Sequence, residues 1–309
     1  MKIIKPIAIT EGMLVDTNIP ECASIPTEWV AGTYALDDLV YVVSTHSVYQ
    51  SLYDGNTESP LLADGTKWQR IRSTDRWLPF DGVIGGLPIE ALNYVEYQIQ
   101  PGELFKGIAL LNIYGVSVDI IVTDATAGEV YNKTISLVSI ASPDSDNQVI
   151  DWYTYFFSEL FLDTEAIFLD LPPFVNGVIT IRVNADPSEN ASIGEIVIGR
   201  VLSLGVTQKN PQFSITDYSV KEVNPFGGYN IVQRPFSKRI DVHTIVLNNL
   251  VPSVIKTLTS LRTTPVVWVP TSITPYQSAL VIYGYYRDFS MVIPHSTWAD
   301  MNLQIEGLT

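Results

Sequence analysis

Histidine, cysteine and carboxylate side chains are the groups through which this chain could catalyse a reaction or hold a metal. It contains three histidines, His46, His243 and His295, and one cysteine, Cys22. No two histidines have the spacing of a zinc-binding HExxH helix, and one cysteine excludes a thiolate metal cluster. Isolated histidines in strands and turns are usually structural. The sequence therefore predicts no metal and no cofactor.

Carboxylates leave one further kind of chemistry open, because glycoside hydrolysis needs only two of them on opposite sides of a bond. With 33 acidic residues, near pairs arise by chance, and none has a distinguishing spacing. The run DSDN at 144–147 leaves loose calcium binding open, although it lacks the spacing and closing glutamate of an EF-hand loop. Phosphate-binding glycine loops and the GxSxG nucleophile motif are absent. We therefore predict no catalytic residues and a protein that is not an enzyme.

Composition favours a mainly β fold. Apolar residues make up 46% of the chain and charged residues 17%, which is enough apolar material for sizeable cores. Val, Ile, Thr and Tyr, which suit a half-buried pleated surface, are prominent. A single cysteine is compatible with a reducing cytoplasm. No window approaches the roughly 20 apolar residues of a membrane span, and no secretory signal is evident, so a soluble protein is expected.

Charge is distributed unevenly along the chain. Residues 1–206 carry 10 basic and 27 acidic side chains, whereas residues 207–309 carry 8 and 6. An acidic surface repels nucleic acid, because binding to nucleic acid depends on neutralising phosphates. The nearly neutral C-terminal third tolerates close packing against other proteins. We expect protein partners there and no nucleic-acid partner.

Changes in composition and in the strand and helix patterns along the sequence predict four parts of the chain. Residues 1–27, with three prolines, read as an extended arm with little regular structure. Residues 28–76 form a small aromatic β module, and residues 77–206 contain about six strand-like segments spaced as in a β-sandwich. Residues 207–309 have strands around one helix, an α+β module.

The helix is expected in NNLVPSVIKTLTSLR, which begins at residue 248. Its N-cap is predicted at Asn248 or Asn249, with Pro252 tolerated in the first turn. Apolar residues recur at the spacing of one helix face: Leu250, Val251, Val254, Ile255, Leu258 and Leu261.

The small module contains a spaced set of aromatic, acidic and apolar residues: Trp29, Thr33-Tyr34, Asp38, Val40, Val48-Tyr49, Pro60 and Trp68. Through these residues it resembles the chitin-binding modules of families 5 and 12. The resemblance covers about 45 residues, and it implies a carbohydrate-binding-like domain. Asp37 stands where those modules have a glycine, and their extra exposed tryptophan has no counterpart, with Tyr53 the nearest substitute.

Two roles remain open for the aromatic residues of this module. In the resembling modules the matched rings are largely a miniature core, which assigns Trp29, Tyr34, Tyr49 and Trp68 to packing. Others could stack on or bind a sugar. The candidate carbohydrate contacts are Tyr41, Tyr53, Asn56 and Trp77.

The C-terminal third contains a series of short motifs: Asp217-Tyr218-Ser219, Lys221-Glu222, Phe226-Gly227, Val232, Arg234, Phe236-Ser237-Lys238-Arg239, Leu261-Arg262, Pro265, Trp268, Tyr283-Gly284, Asp288-Phe289-Ser290 and Ile305-Glu306-Gly307-Leu308. Through these residues it resembles a module of tail proteins from tailed bacteriophages, and the opening KIIKPIAIT resembles the start of such proteins. The candidate assembly-interface residues are Arg234, Lys238, Arg239 and Trp268.

This resemblance implies a virion structural protein at the tail tip, baseplate or fibre attachment, assembled in the host bacterial cytoplasm. Its expected partners are other tail proteins and further copies of itself, with host surface polysaccharide as a possible third. A host-polysaccharide-binding adhesin is the alternative. A polysaccharide depolymerase is less favoured, because such enzymes are often long repetitive β-helices and this chain has no repeat.

Overall fold

A computed structural model of the chain describes residues 1–23, 26–62, 66–84, 86–140, 160–208, 211–223, 228–271 and 280–308. The mainly β prediction is confirmed, because 54% of the residues are in strands and the described residues contain one short α-helix. The DSDN run at 144–147 lies outside these ranges. None of the described helices is long and apolar enough to cross a membrane.

In chain order the strands are β1 (Lys2–Pro6), β2 (Leu14–Thr17), β3 (Thr27–Glu28), β4 (Leu39–Val42), β5 (Ser47–Ser51), β6 (Trp68–Ser73), β7 (Ile89–Leu92), β8 (Tyr94–Ile99), β9 (Gly107–Tyr114), β10 (Ser117–Asp124), β11 (Gly128–Ser136), β12 (Val138–Ile140), β13 (Leu160–Leu162), β14 (Glu165–Phe168), β15 (Val178–Asn184), β16 (Asn190–Ser203), β17 (Val206–Thr207), β18 (Gln212–Asp217), β19 (Val220–Val223), β20 (Tyr229–Val232), β21 (Phe236–Leu247), β22 (Val266–Val269), β23 (Ile282–Val292) and β24 (Trp298–Gly307). The α-helix, α1, spans Val251–Ser260, and short 3₁₀ helices span Glu11–Met13, Val43–Thr45 and Asp75–Phe80.

Two sheets packed face to face form a sandwich in the middle of the chain. One has the order β11-β10-β15-β8-β2, and it covers β14, β9, β16 and β7 of a larger sheet. Alternate residues of β8, β10 and β15 are buried, as expected for strands that face a core on one side. The shared core includes Val95, Tyr97, Ile120, Ile181 and Phe168.

The larger sheet has eleven strands and runs across residue 206, joining the sandwich to the C-terminal third. Nine of its strands are hydrogen-bonded side by side in the order β14-β9-β16-β1-β22-β23-β24-β21-β17. The expectation of an N-terminal arm with little regular structure is wrong at its start, because β1 lies between β16 and β22. Ile3 and Ile4 are fully buried there, on opposite faces. Gly199 permits this close approach, since a Cβ at that position would lie 1.9 Å from the Lys5 carbonyl oxygen.

Helix α1 packs on the sheet through one apolar face, as predicted. Val251, Val254 and Leu258 are buried, whereas Ile255 faces solvent. The N-cap prediction is wrong: Leu250 occupies that position, with no side-chain cap. Asn248 instead donates its amide to the His295 carbonyl oxygen, which ties it to the loop before β24.

The small module is a four-stranded sheet with the order β3-β4-β5-β6. Val40, Val42, Val48 and Trp68 are buried apolar residues of this sheet. Trp68 donates its indole N–H to the Glu58 carbonyl oxygen at 2.8 Å, and the Tyr34 ring meets Trp68 edge to face. Part of the predicted miniature core is therefore present, while Trp29, Tyr34 and Tyr49 are half-buried.

Candidate functional site

Two of the four candidate carbohydrate contacts are accessible. Tyr53 follows β5 and its side chain is 58% exposed, with the Lys67 ammonium 5.7 Å from the ring centroid. Tyr41 lies in β4 between Val40 and Val42, which are buried, so alternation places it on the opposite face of the strand. Tyr41 is half-buried. Tyr53 therefore offers the more open aromatic surface.

The other two candidates are buried. Asn56 donates its amide to the Ser51 hydroxyl at 3.1 Å and to the Lys67 carbonyl, and its own carbonyl accepts from the Glu58 N–H. It closes the turn after β5 and has no group left for a sugar. Trp77 is 7% exposed and stacks on His46, with ring centroids 4.4 Å apart. We correct both assignments, because the Asn56 amide is engaged within the turn and the buried Trp77 ring offers no accessible face for stacking on a sugar.

Three of the four candidate assembly residues form contacts within the chain. Trp268 is fully buried and donates its indole N–H to the Gly284 carbonyl oxygen at 2.9 Å. Lys238 pairs with Glu165 at 2.6 Å, which joins β21 to the sandwich. Arg239 donates to Gln304 on the neighbouring strand β24 at 3.2 Å. The ion pair of Lys238 is thus intramolecular. Arg234 is exposed.

Arg234 lies among exposed apolar side chains whose shared exposure the sequence did not predict, and we call this region the apolar docking surface. It comprises strands β18, β19 and β20, the residues Tyr218 and Arg234, and the first residue of β21. Tyr229 is 65% exposed, and the Lys221 ammonium lies 4.6 Å from its ring centroid. The members are Phe213, Ile215, Tyr218, Tyr229, Ile231, Val232 and Phe236.

The docking surface also contains an open sheet edge. Strand β18 pairs with β21 on one side, and no described strand pairs with its other side. Its sequence, QFSITD, has neither the lysine nor the proline with which proteins commonly protect an edge. Hairpin β19–β20 forms a separate two-stranded sheet, and isolated hairpins are at best marginally stable in water. Both features are typical of segments that become covered on association.

A buried carboxyl group, Glu195, was also missed. It lies in β16, is 4% exposed, and accepts the Gly82 backbone N–H at 3.2 Å. Burial raises its pKa to about 9, with the nearby Asp81 carboxylate adding to the shift. Burial likewise raises the pKa of Asp81 and the pKa of Tyr283, whose side chain lies near the carboxyl groups of Glu195 and Asp81. The signal in the sequence was one acid inside the apolar run SIGEIVIG.

A second missed group is a polar junction between the small module and the N-terminal segment. His46 Nδ1 lies 2.8 Å from Glu21 Oε1, and the Thr74 hydroxyl donates to the same oxygen at 2.7 Å. Arg76 lies 3.7 Å from the second oxygen of Glu21. Among the described residues no group of three or more His, Cys, Asp or Glu is arranged to hold a metal ion.

No protein-family model matches the chain, and neither a curated protein nor a solved structure is detectably similar to it. The two resemblances therefore depend on the motif residues named above. What the fold itself defines is a mainly β, sandwich-like protein with an open, apolar sheet edge.

Proposed function

We propose that this chain is a structural, non-enzymatic component of a phage tail, located at the tail tip, baseplate or fibre attachment. It docks through its C-terminal third, in several copies and beside other tail proteins, and displays the small module. The observation that carries the proposal is the apolar docking surface, where seven large apolar side chains are exposed, because exposed apolar surface can mark a site of protein–protein contact.

The position of this surface agrees with the motif residues. Tyr218, Val232, Arg234 and Phe236 belong to the tail-module resemblance, and all four are exposed. An intramolecular role in packing does not explain apolar side chains that face solvent. Contact with a neighbouring subunit does, since aromatic residues and arginine are enriched at protein interfaces.

Charging this surface is expected to prevent self-association without unfolding the chain. The double variant Tyr229→Asp/Ile231→Asp places two carboxylates on one face of β20, where a neighbouring subunit would have to desolvate them. We expect self-association to weaken by at least about tenfold. Light scattering coupled to size exclusion, over a range of protein concentrations, measures this.

The matched control is Leu87→Asp, an apolar residue outside the docking surface that is 77% exposed. It should leave association unchanged, and all three proteins should unfold at the same temperature at a concentration at which each is monomeric. A wild-type chain that stays monomeric at every concentration tested, or a double variant that associates like wild type, would refute docking between copies through this surface.

Adhesion to host polysaccharide is the second candidate function, and the exposure of Tyr53 favours it. If the small module binds a glycan through this ring, Tyr53→Ala should lose at least about 1 kcal/mol of binding free energy with folding intact. Tyr114→Ala, an exposed tyrosine of the sandwich, is the control. Glycan arrays with wild type and both variants test this, and a wild type that binds no host glycan excludes it.

A further inference from the structure

Strand β18 presents an unprotected edge of the large sheet. It pairs with β21 in a regular register over Gln212–Asp217, and no described strand pairs with its other edge. All six of its side chains are exposed. The strand contains no bulge, lysine or proline, which are features that commonly keep a second strand from pairing with an edge. Its outward backbone groups can therefore pair with a strand from another chain.

The sequence of β18 is complementary to a second copy of itself. Phe213 and Ile215 lie on one face of the strand, whereas Gln212, Ser214 and Thr216 lie on the other. A two-fold axis perpendicular to the sheet places two copies of β18 antiparallel and keeps every side chain on its own face. Because residues directly opposite each other share a face, residues of the Phe213 face meet only residues of that same face.

Side-chain chemistry selects one register for this pairing. An axis at Ser214 places Phe213 opposite Ile215 of the second copy, and the symmetry repeats this apolar pair. An axis at Ile215 would instead place Phe213 opposite the Asp217 carboxylate of the second copy. Apolar cross-strand pairs stabilise a sheet, so the pairing centred on Ser214 is favoured.

Charge also favours a second copy as the chain that covers this edge. Residues 207–309 carry 8 basic and 6 acidic side chains, whereas residues 1–206 carry 10 and 27. Pairing through β18 joins the nearly neutral thirds of two chains, which limits the repulsion between them. Asp217 is the one charged residue of β18, and the pairing centred on Ser214 places it opposite Pro211 rather than opposite an acidic residue.

We infer that two copies of this chain join edge to edge through β18, antiparallel and with Ser214 at the two-fold axis. The two large sheets then continue across the interface as one sheet. A closed two-fold pair is the commonest form of homo-oligomer, and it leaves neither β18 edge open. The inference rests on the self-association proposed above and specifies the strand and the register of the contact.

Disulfide trapping tests both the strand and the register. Residues that face each other across an antiparallel pair have Cα atoms about 4.5 to 5.5 Å apart, which a disulfide can bridge. Ser214→Cys should therefore form a covalent dimer when oxidised by dissolved oxygen with a copper–phenanthroline catalyst. All variants carry Cys22→Ser, because Cys22 is the one native thiol. Non-reducing electrophoresis measures the dimer.

The matched control is Thr216→Cys, two residues further along the same exposed strand. In this pairing Thr216 faces Gln212, and the two Thr216 Cα atoms lie at least about 13 Å apart, too far for a disulfide. The yield of Ser214→Cys dimer should therefore exceed that of Thr216→Cys dimer by at least about fivefold. Thermal unfolding of both variants checks that the fold is intact.

Hydrogen exchange of the wild-type chain provides a second readout that needs no variant. Backbone amides in Gln212–Asp217 should exchange at least about tenfold more slowly at concentrations at which light scattering shows association. An associating chain that gives no Ser214→Cys dimer, or no added protection of these amides, would refute pairing through β18 and leave the wider docking proposal standing. Equal dimer yields from Ser214→Cys and Thr216→Cys would also overturn the inference. A chain that never associates would overturn both proposals.

Discussion

Replacing Glu195 by glutamine is expected to stabilise the protein above about pH 5 and to flatten the pH dependence of its stability. Burial raises the pKa of this carboxyl to about 9 in the folded chain, and the Asp81 carboxylate adds to the shift. The Gly82 N–H works in the opposite direction. In the unfolded chain the carboxyl titrates near its ordinary value of 4.5.

The sign of this pH dependence follows from the difference in bound protons between the folded and unfolded states. Between the two pKa values the folded state keeps a proton that the unfolded state has released. Each rise of one pH unit therefore lowers the unfolding free energy by about 1.4 kcal/mol. This contribution is intact below the unfolded pKa and is lost as the pH rises to the folded one. Glutamine is neutral at every pH and can still accept the Gly82 N–H.

Urea unfolding of wild type and Glu195→Gln across about pH 5 to 9 measures the effect. At pH 7 the variant should be more stable by up to about 3 kcal/mol, with a larger gain at higher pH. Glu28→Gln is the control, because that side chain is exposed. Parallel stability curves for wild type and Glu195→Gln would show that the carboxyl is not held neutral by burial.

Replacing Trp268 by alanine is expected to cost about 3 to 5 kcal/mol of stability. The ring is fully buried against the Tyr286 ring, and its N–H satisfies the Gly284 carbonyl oxygen. Trp268→Phe keeps most of the apolar volume and leaves that carbonyl unpaired, so a smaller loss is expected. Chemical denaturation of both variants measures these losses.

Measuring both stability and association distinguishes a core residue such as Trp268 from an interface residue such as Tyr229. Tyr229→Ala, on the docking surface, should leave the unfolding free energy of the monomer within about 0.5 kcal/mol of wild type. If Trp268→Ala instead left stability unchanged and altered only association, the assignment of Trp268 to the core would be wrong.

Local periodicity made much of the fold predictable. The alternation in Tyr94–Ile99 and the helical spacing of Val251, Val254 and Leu258 both correspond to the observed buried faces. Strand β1 was not predictable, because Ile3 and Ile4 are buried by strands about 200 and 265 positions away. Long-range pairing of that kind leaves no local pattern in five residues.

The candidate sites were less predictable, because residue type does not reveal burial. Trp77 was selected for its ring, yet His46, far from it in sequence, covers one face. Lys238 was selected for its charge, yet Glu165 pairs with it across the sheet. Tyr229 and Ile231, which flank Asn230 in the sequence, are both exposed because β19 and β20 form a separate two-stranded sheet. The sequence pattern does not show that separation.

The most direct test of the tail-component proposal is electron microscopy of phage particles made with and without this chain. The proposal predicts that deleting its gene from the encoding phage leaves tails absent or incomplete. Wild-type chain supplied in trans restores them, and the Tyr229→Asp/Ile231→Asp variant does not. Complete tails assembled normally without this chain would contradict the proposal.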